Sequence, residues 1–478
     1  MSFDEIKKEI GGYHLSSIID VCLSILNEAQ RKDSKRVPLW DILSIVKWAM
    51  LNTSNLVGLK IMSHQDVERI LKAIDKLNYE CKVVDFKNRK NLKKSLRSVA
   101  NQQFWFQESF HLNHTSRQYI LYIKLTSSID LDQKFEENTG LSIEEFLQMI
   151  SCASIYLERD KIFQENIYDG QLDRGFYELV SQKHSLDSIQ KFLALLFLTS
   201  RDQVIGLNKL NHDCLQLYET NIWSQSPFII YHDQPQVLHK AILTQCAKHF
   251  IYDRMKKNGD QQFIAEFCKR VERYLALGLE ESKIPHKNES VLKRTYQLSK
   301  VPDYMVEDRV LVDSKAIELN TFSAVTRDAN SLEKDLKNSI IKGYIQFLSA
   351  AKVVDSKQEW FGLIVTYKNT FLRLGIDAWE EFLNSPIMAF VNEQSLSISM
   401  LPPQNLFFID IDLWDKLIQT TIDYKVTITE ILRIVSEYNR GRDTPDTYML
   451  FEQILSRNFE LDKVGLTYLT KATDELMR

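Results

Sequence analysis

Hydrophobic residues return every three or four positions through most of the first 255 residues, the period of helices with one buried side. Leu15, Ile18, Ile19, Cys22, Leu23 and Leu26 form one such stripe, and Leu39, Ile42, Ile45, Val46 and Trp48 another. Ser63 stands where a helix cap belongs, ahead of Val67, Ile70, Leu71 and Ile74. Two stretches break this period. Cys81–Phe86 is strand-like in composition, and Gln118–Leu125 is an apolar run of strand length; both predict strands. Helical patterning resumes over Ser142–Ile150 and Ser185–Phe197, and again from Gln234.

From about residue 256 the texture changes to alternating helices and strands. Gln261–Gly278 reads as an amphipathic helix ending on a glycine cap. Val291–Leu298 reads as a strand, Val301–Leu319 as two more, and Asn330–Ala351 as a helix. Strands at Glu359–Tyr367 and Asn405–Ile411 flank a helix from Asp377, and the C-terminus is helical again. The pattern predicts a multidomain chain of α+β or α/β class. It divides into a mainly helical region over 1–255 for recognition or partner binding, an α/β core over 256–415 and a helical extension over 416–478.

Composition narrows the picture. With 14 glycines and 9 prolines in 478 residues the chain is poor in turn formers, which disfavours an all-β fold. The net charge of −4 does not advertise nucleic acid, so any such contact must come from a local basic surface. The six cysteines form no C-x-x-C pair and have no histidine at zinc-ligand spacing, which predicts reduced thiols. The first residues are charged where a secretory signal needs an apolar stretch, and no apolar run is long enough to span a membrane. A soluble cytoplasmic protein without a membrane partner is expected, a homo-oligomer being open. The phosphate-cradling loop of ATPases, the serine-hydrolase elbow and the H-E-x-x-H zinc motif are all missing from the sequence.

The chemistry concentrates in Val301–Leu319, where Pro302-Asp303 precedes an apolar run, a polar Glu307-Asp308-Arg309, and a second apolar run ending Asp313-Ser314-Lys315. Asp-x-Lys alone is common here, recurring at Asp33, Asp85, Asp132, Asp335 and Asp355. Only Asp313 has a Pro-Asp ten residues upstream and strong helices on both sides. On these residues and this element order the chain resembles the PD-(D/E)xK nuclease superfamily, over about a third of its length. The resemblance implies a restriction-endonuclease-like core. It also implies Mg²⁺ or Mn²⁺ held by Asp303 and Asp313, an attacking water positioned by Lys315, and an acid from the first helix, Glu272 or else Glu266, joining the metal site. The Gln-x-x-x-Tyr of one branch of that superfamily is absent, with Gln346 standing alone on the helix.

Elementary strand geometry sets a condition on this reading. Residues two apart on a strand share a face, so Asp313 and Lys315 project together. Asp303 joins them only if the connection between the strands holds an odd number of residues, such as Glu307–Arg309; a two-residue turn would set it opposite Val312. The function expected is hydrolysis of phosphodiester bonds, in DNA before RNA, in a role similar to bacterial restriction or anti-phage defence. Lys337, Lys342 and Gln346 on the following helix are candidate nucleic-acid contacts. So are Lys93, Lys94 and Arg97, in a basic cluster beside Phe104-Trp105-Phe106, although a solvated helix face beside core aromatics is the plainer reading there. The alternative for the whole chain is a non-enzymatic helical scaffold whose α/β unit is structural.

Overall fold

The computed structural model describes residues 2–478 apart from 33–37, 53–58, 82–96, 126–128, 164–171, 173, 199–220, 232–233, 257–259, 298–300, 318, 320, 326–327, 356, 373, 441–449 and 462. The chain divides into two compact units. One comprises Met1–Tyr119 and Asp130–Asn258, the other Ile120–Ile129 and Gly259–Leu476. The helices beyond residue 416 therefore belong to the same unit as the larger sheet. Among the described residues no helix is long and apolar enough to cross a membrane.

The first unit is helical, as its periodicity predicts. Its longer helices are Leu15–Lys32, Leu39–Asn52, His64–Cys81, Ile143–Phe163 and Lys240–Lys256. A two-stranded antiparallel ribbon, Phe228–Tyr231 with Gln234–Val237, is its one named sheet among the described residues. That ribbon corrects the helix expected from Gln234: the strand comes first and the helix begins at Lys240. Of the expected strand at Cys81–Phe86, Cys81 ends a helix and 82–86 lie outside the described residues. The strand expected over Gln118–Leu125 is helical instead. An α-helix, Leu112–Tyr119, runs on as a π-turn over Ile120–Lys124. Tyr119 to Tyr122 are all buried, and a run without a polar side has no period by which to tell helix from strand.

In the second unit we number elements from its own start. Helix α1 (Gln261–Glu281) leads to β1 (His286–Asn288), α2 (Glu289–Tyr296), β2 (Tyr304–Val306) and β3 (Val310–Lys315). Helix α3 (Lys342–Asp355), β4 (Phe361–Thr366), β5 (Leu406–Asp410), α4 (Ile411–Tyr424) and α5 (Ile428–Arg440) follow. Asp260 caps α1, its carboxylate accepting the Phe263 amide at 2.9 Å. Gly278 does not end that helix; it packs inside it, where a Cβ would stand 2.9 Å from Ile418 Cγ1 and 3.2 Å from Trp414 Nε1. The strand expected over Val291–Leu298 is α2. Asn288 accepts the Val291 amide at 3.0 Å and so starts a helix where the apolar pattern was ambiguous, leaving the strand to the three residues before it.

The five strands lie in sequence order, β1-β2-β3-β4-β5. The first three are antiparallel, and β3–β4 and β4–β5 are parallel. β3 is central, and Val310, Leu311, Val312 and Asp313 are all buried, so both faces of this strand are covered. Each buried valine or leucine here contributes about 1.5–3 kcal/mol.

The β2–β3 connection has three residues, Glu307, Asp308 and Arg309, with Val306 paired to Val310. Glu307 and Asp308 both take left-handed backbone angles, φ 53° and 52°. That conformation costs side-chain-bearing residues about 1–2 kcal/mol each. The loop is tied down in compensation. The Glu307 carboxylate accepts the Ile428 amide (3.0 Å), the Thr429 amide (2.9 Å) and the Thr429 hydroxyl (2.6 Å), capping α5 from a distance in sequence. Lys287 reaches Asp308 at 2.6 Å. Replacing Glu307 with alanine is expected to destabilise the chain by about 1–2 kcal/mol, the usual cost of losing a helix cap, read as a lower denaturant midpoint. An unchanged midpoint would mean that the loop is held by other contacts.

Candidate active site

The register places the motif residues. Tyr304 pairs with Val312, and one step further along the same register sets Asp303 opposite Asp313. The three-residue loop therefore meets the geometric condition drawn from the sequence, and Asp303 stands level with Asp313, close enough for their carboxyls to interact. Asp303 Oδ2 accepts the Ser314 amide at 2.7 Å and the Ser314 hydroxyl at 2.6 Å, which locks its carboxylate across the strand pair.

Asp313 is 1% exposed. Its Oδ2 lies 2.5 Å from Lys315 Nζ, an ion pair. Burial pushes the Asp313 carboxyl up to about 7; Lys315 opposes the rise, and the neighbouring Asp303 adds to it by charge and by hydrogen bonding. Glu272, half-buried on α1, is also raised to about 7, first by burial and then by Asp303 and Glu289. Glu272 thus lies within electrostatic reach of Asp303. Tyr304 ties this part of α1 to β2, donating to the Glu272 backbone carbonyl at 3.0 Å.

Glu266, the second choice on α1, lies elsewhere. Six positions along a helix turn the side chain about 120° away from that of Glu272. Glu266 is buried beside Arg270 at 3.5 Å, and Arg270 donates to the carbonyls of Leu121 (3.0 Å), Tyr122 (2.7 Å) and Ile129 (3.0 Å). That is an anchor for a buried segment. Gln346 is corrected as well: its Nε2 donates to the Val301 carbonyl at 3.2 Å, so it holds the chain just before Pro302-Asp303. Arg97 is 3% exposed and is not a surface contact. Lys337 and Lys342 are exposed, and Lys93 and Lys94 lie outside the described residues.

Two neighbours escape a reading of the sequence. Cys268, one turn before Glu272 on the same side of α1, receives the Ala316 amide, and burial raises its thiol. The four-residue spacing to Glu272 was its available signal. Gly343 packs so closely that a Cβ there would stand 2.9 Å from Asp313 Oδ2.

The donor set suits a hard divalent cation. Among the described residues no three His, Cys, Asp or Glu side chains stand as a ready-made metal cluster. Mg²⁺ asks for less, since it binds through one or two carboxylates and keeps several waters. Asp303 and Asp313 supply the carboxylates, with Glu272 coupled to Asp303, and the buried Asp313 Oδ2 is paired with the Lys315 ammonium. No family model, curated protein or solved structure matches the chain.

Proposed function

We propose that this chain is a Mg²⁺- or Mn²⁺-dependent nuclease of the PD-(D/E)xK type, hydrolysing phosphodiester bonds of DNA before RNA. What carries the reading is the three-residue loop that aligns Asp303 with Asp313 and Lys315. The helix, three antiparallel strands, helix and parallel strand of the second unit support a restriction-endonuclease-like core. In this reading Asp303 and Asp313 hold the cation, with Glu272 alongside. The bound cation would make water a better nucleophile and offset charge on the phosphate. Lys315 turns from Asp313 toward the scissile phosphate, where its ammonium steadies the developing negative charge and orients the water. The water oxygen bonds to phosphorus and gives up a proton to solvent as one P–O ester bond breaks, and the departing alkoxide takes up a proton from solvent to leave as the alcohol. Lys337 and Lys342 are proposed phosphate contacts. A restriction or anti-phage role is proposed by analogy of architecture.

The test incubates the chain with supercoiled plasmid, linear DNA and RNA, in Mg²⁺ or Mn²⁺. Cation-dependent cleavage stopped by EDTA is expected. No cleavage of any of them would leave the scaffold reading, with the α/β unit structural.

The raised carboxyls set the pH dependence. Below about pH 7 Asp313 and Glu272 hold protons, and a protonated carboxyl does not bind a cation. Cleavage is expected to rise with pH up to about 7 and then level, and Glu272→Gln is expected to make that rise shallower. For stability the sign is opposite. Carboxyls that release their protons near pH 4 when unfolded but near 7 when folded make the cation-free chain lose stability across that window as pH rises. Saturating Mg²⁺ is therefore expected to raise Tm by about 2 °C at pH 8 and by nothing measurable at pH 5.5. An equal shift at both values would place the cation elsewhere.

A further inference from the structure

Gly343 sits near the start of α3 in ordinary helical backbone, where glycine is the poorest helix former after proline. No left-handed angle calls for it. The reason lies beyond its missing side chain. A Cβ there would stand 2.9 Å from Asp313 Oδ2, 3.3 Å from Ile364 Cδ1 and 3.8 Å from Lys315 Cε. Other glycines of this unit meet different neighbours. At Gly375 a Cβ would strike the Pro403 and Leu406 carbonyls at 2.3 and 2.4 Å, and at Gly362 the Phe347 ring at 2.7 Å. Those are glycines of backbone approach and core packing. At Gly343 the closest atom is the Asp313 oxygen that pairs with Lys315, so a methyl group would move the proposed site more readily than the fold.

The chain around Gly343 is arranged for this approach. A π-turn, Lys337–Ile341, immediately precedes α3. Its extra residue rotates α3 by about 100° relative to the helical turns before it. Three residues on, Gln346 holds the Val301 carbonyl at 3.2 Å, two positions before Asp303. The same helix thus touches both halves of the motif, at Asp313–Lys315 and just ahead of Asp303.

We propose that Gly343 is a positioning residue: its bare backbone seats the Asp313–Lys315 pair, and thereby sets where Lys315 and the carboxylates stand. The proposal rests on the nuclease reading and names a residue that the motif does not contain. The experiment compares wild type, Gly343→Ala, Ile364→Val and the double variant Gly343→Ala/Ile364→Val. Three quantities are measured: Mn²⁺ affinity without nucleic acid, kcat and KM for plasmid cleavage in Mg²⁺, and Tm.

For Gly343→Ala we expect Mn²⁺ binding weakened tenfold or more and kcat lowered roughly 100-fold, the penalty of an ångström-scale misplacement. KM should stay within about twofold and Tm should hold or rise, because alanine is the better helix former. Ile364→Val removes the Cδ1 contact and leaves the Asp313 contact, so it should not restore activity in the double variant. Gly343→Ala with wild-type affinity and kcat would overturn the proposal. So would recovery in the double variant, which would make Gly343 a packing glycine, or a clear fall in Tm, which would make it a glycine of the fold. If wild type itself neither binds Mn²⁺ nor cleaves, the nuclease reading falls and this role with it, an outcome distinct from a failure at Gly343 alone.

Discussion

Asp313→Asn is expected to lower cation-dependent cleavage by at least about 10²–10³-fold, the loss typical of removing one charge-stabilising group from a reacting centre. The substitution keeps the volume of a side chain that is 1% exposed and removes only its charge. Packing around Val312 and Ile364 should be preserved. In the cation-free chain at pH 8, Tm should hold or rise slightly, because an ionised carboxylate raised to about 7 by burial opposes folding there. Lys315→Ala should lower cleavage comparably. The Lys315 side chain is 19% exposed, so truncating it opens a path for water to the Asp313 carboxyl and limits the cost of breaking the pair. The two readouts separate the explanations: initial cleavage rates in Mg²⁺ and unfolding curves on the same samples. Variants that cleave as fast as wild type would show that the site lies elsewhere; variants that lose activity only by unfolding would show that Asp313 is structural.

Deleting Asp308 is the second experiment with a large expected effect, and it acts on geometry without touching any proposed ligand. If the turn keeps its three residues by drawing in Val306, Met305 comes opposite Val310 and Asp303 opposite Val312 instead of Asp313. A one-residue slip carries every side chain of β2 to the other face. Tyr304, Met305 and Val306 are buried and largely apolar, so the exchange is tolerable to the sheet. Asp303, moved off the face of Asp313, loses both bonds to Ser314. Cleavage is expected to vanish, while circular dichroism keeps its helical signal. Asp308→Gly is the control: it keeps the loop length, suits the left-handed backbone at φ 52°, and should retain activity. Wild-type cleavage by a deletion variant in which Met305 pairs with Val310 would separate function from the Asp303–Asp313 alignment and so refute the site.

How much of the fold is legible in the residues alone differs from element to element. The strands around Asp313, at Phe361–Thr366 and at Leu406–Asp410 lie where the apolar runs put them, because short runs of β-branched or aromatic residues between turn signals favour strand. Gln118–Leu125 and Val291–Leu298 go the other way. The first is largely buried, and the second is decided by a cap at Asn288, so neither carries a usable period. A polar residue on a helix usually faces solvent, which makes Gln346 read as a substrate contact; in the fold it holds the Val301 carbonyl. Arg97 reads as part of a basic surface, and no pattern distinguishes a sunken arginine such as this one from an exposed one. Gly343 gives no sign in the sequence, and Cys268 only its four-residue spacing to Glu272, because their importance lies in what stands opposite, not in their own type.

The sequence by itself determined the residue types of the site and the parity on which it depends. An Asp and a Lys two apart on a strand must share a face, and a three-residue loop must align Asp303 with them. Those are properties of bond geometry and need no tertiary information. Tertiary structure alone decided the charges and their surroundings. It decided that Asp313 is sealed from water and its carboxyl raised to about 7, that Glu272 feels the Asp303 charge while Glu266 pairs with Arg270, and that α3 comes close enough to leave no room for a Cβ at Gly343. Burial, field and close approach arise between segments far apart in the chain, and only the packed fold brings those segments together.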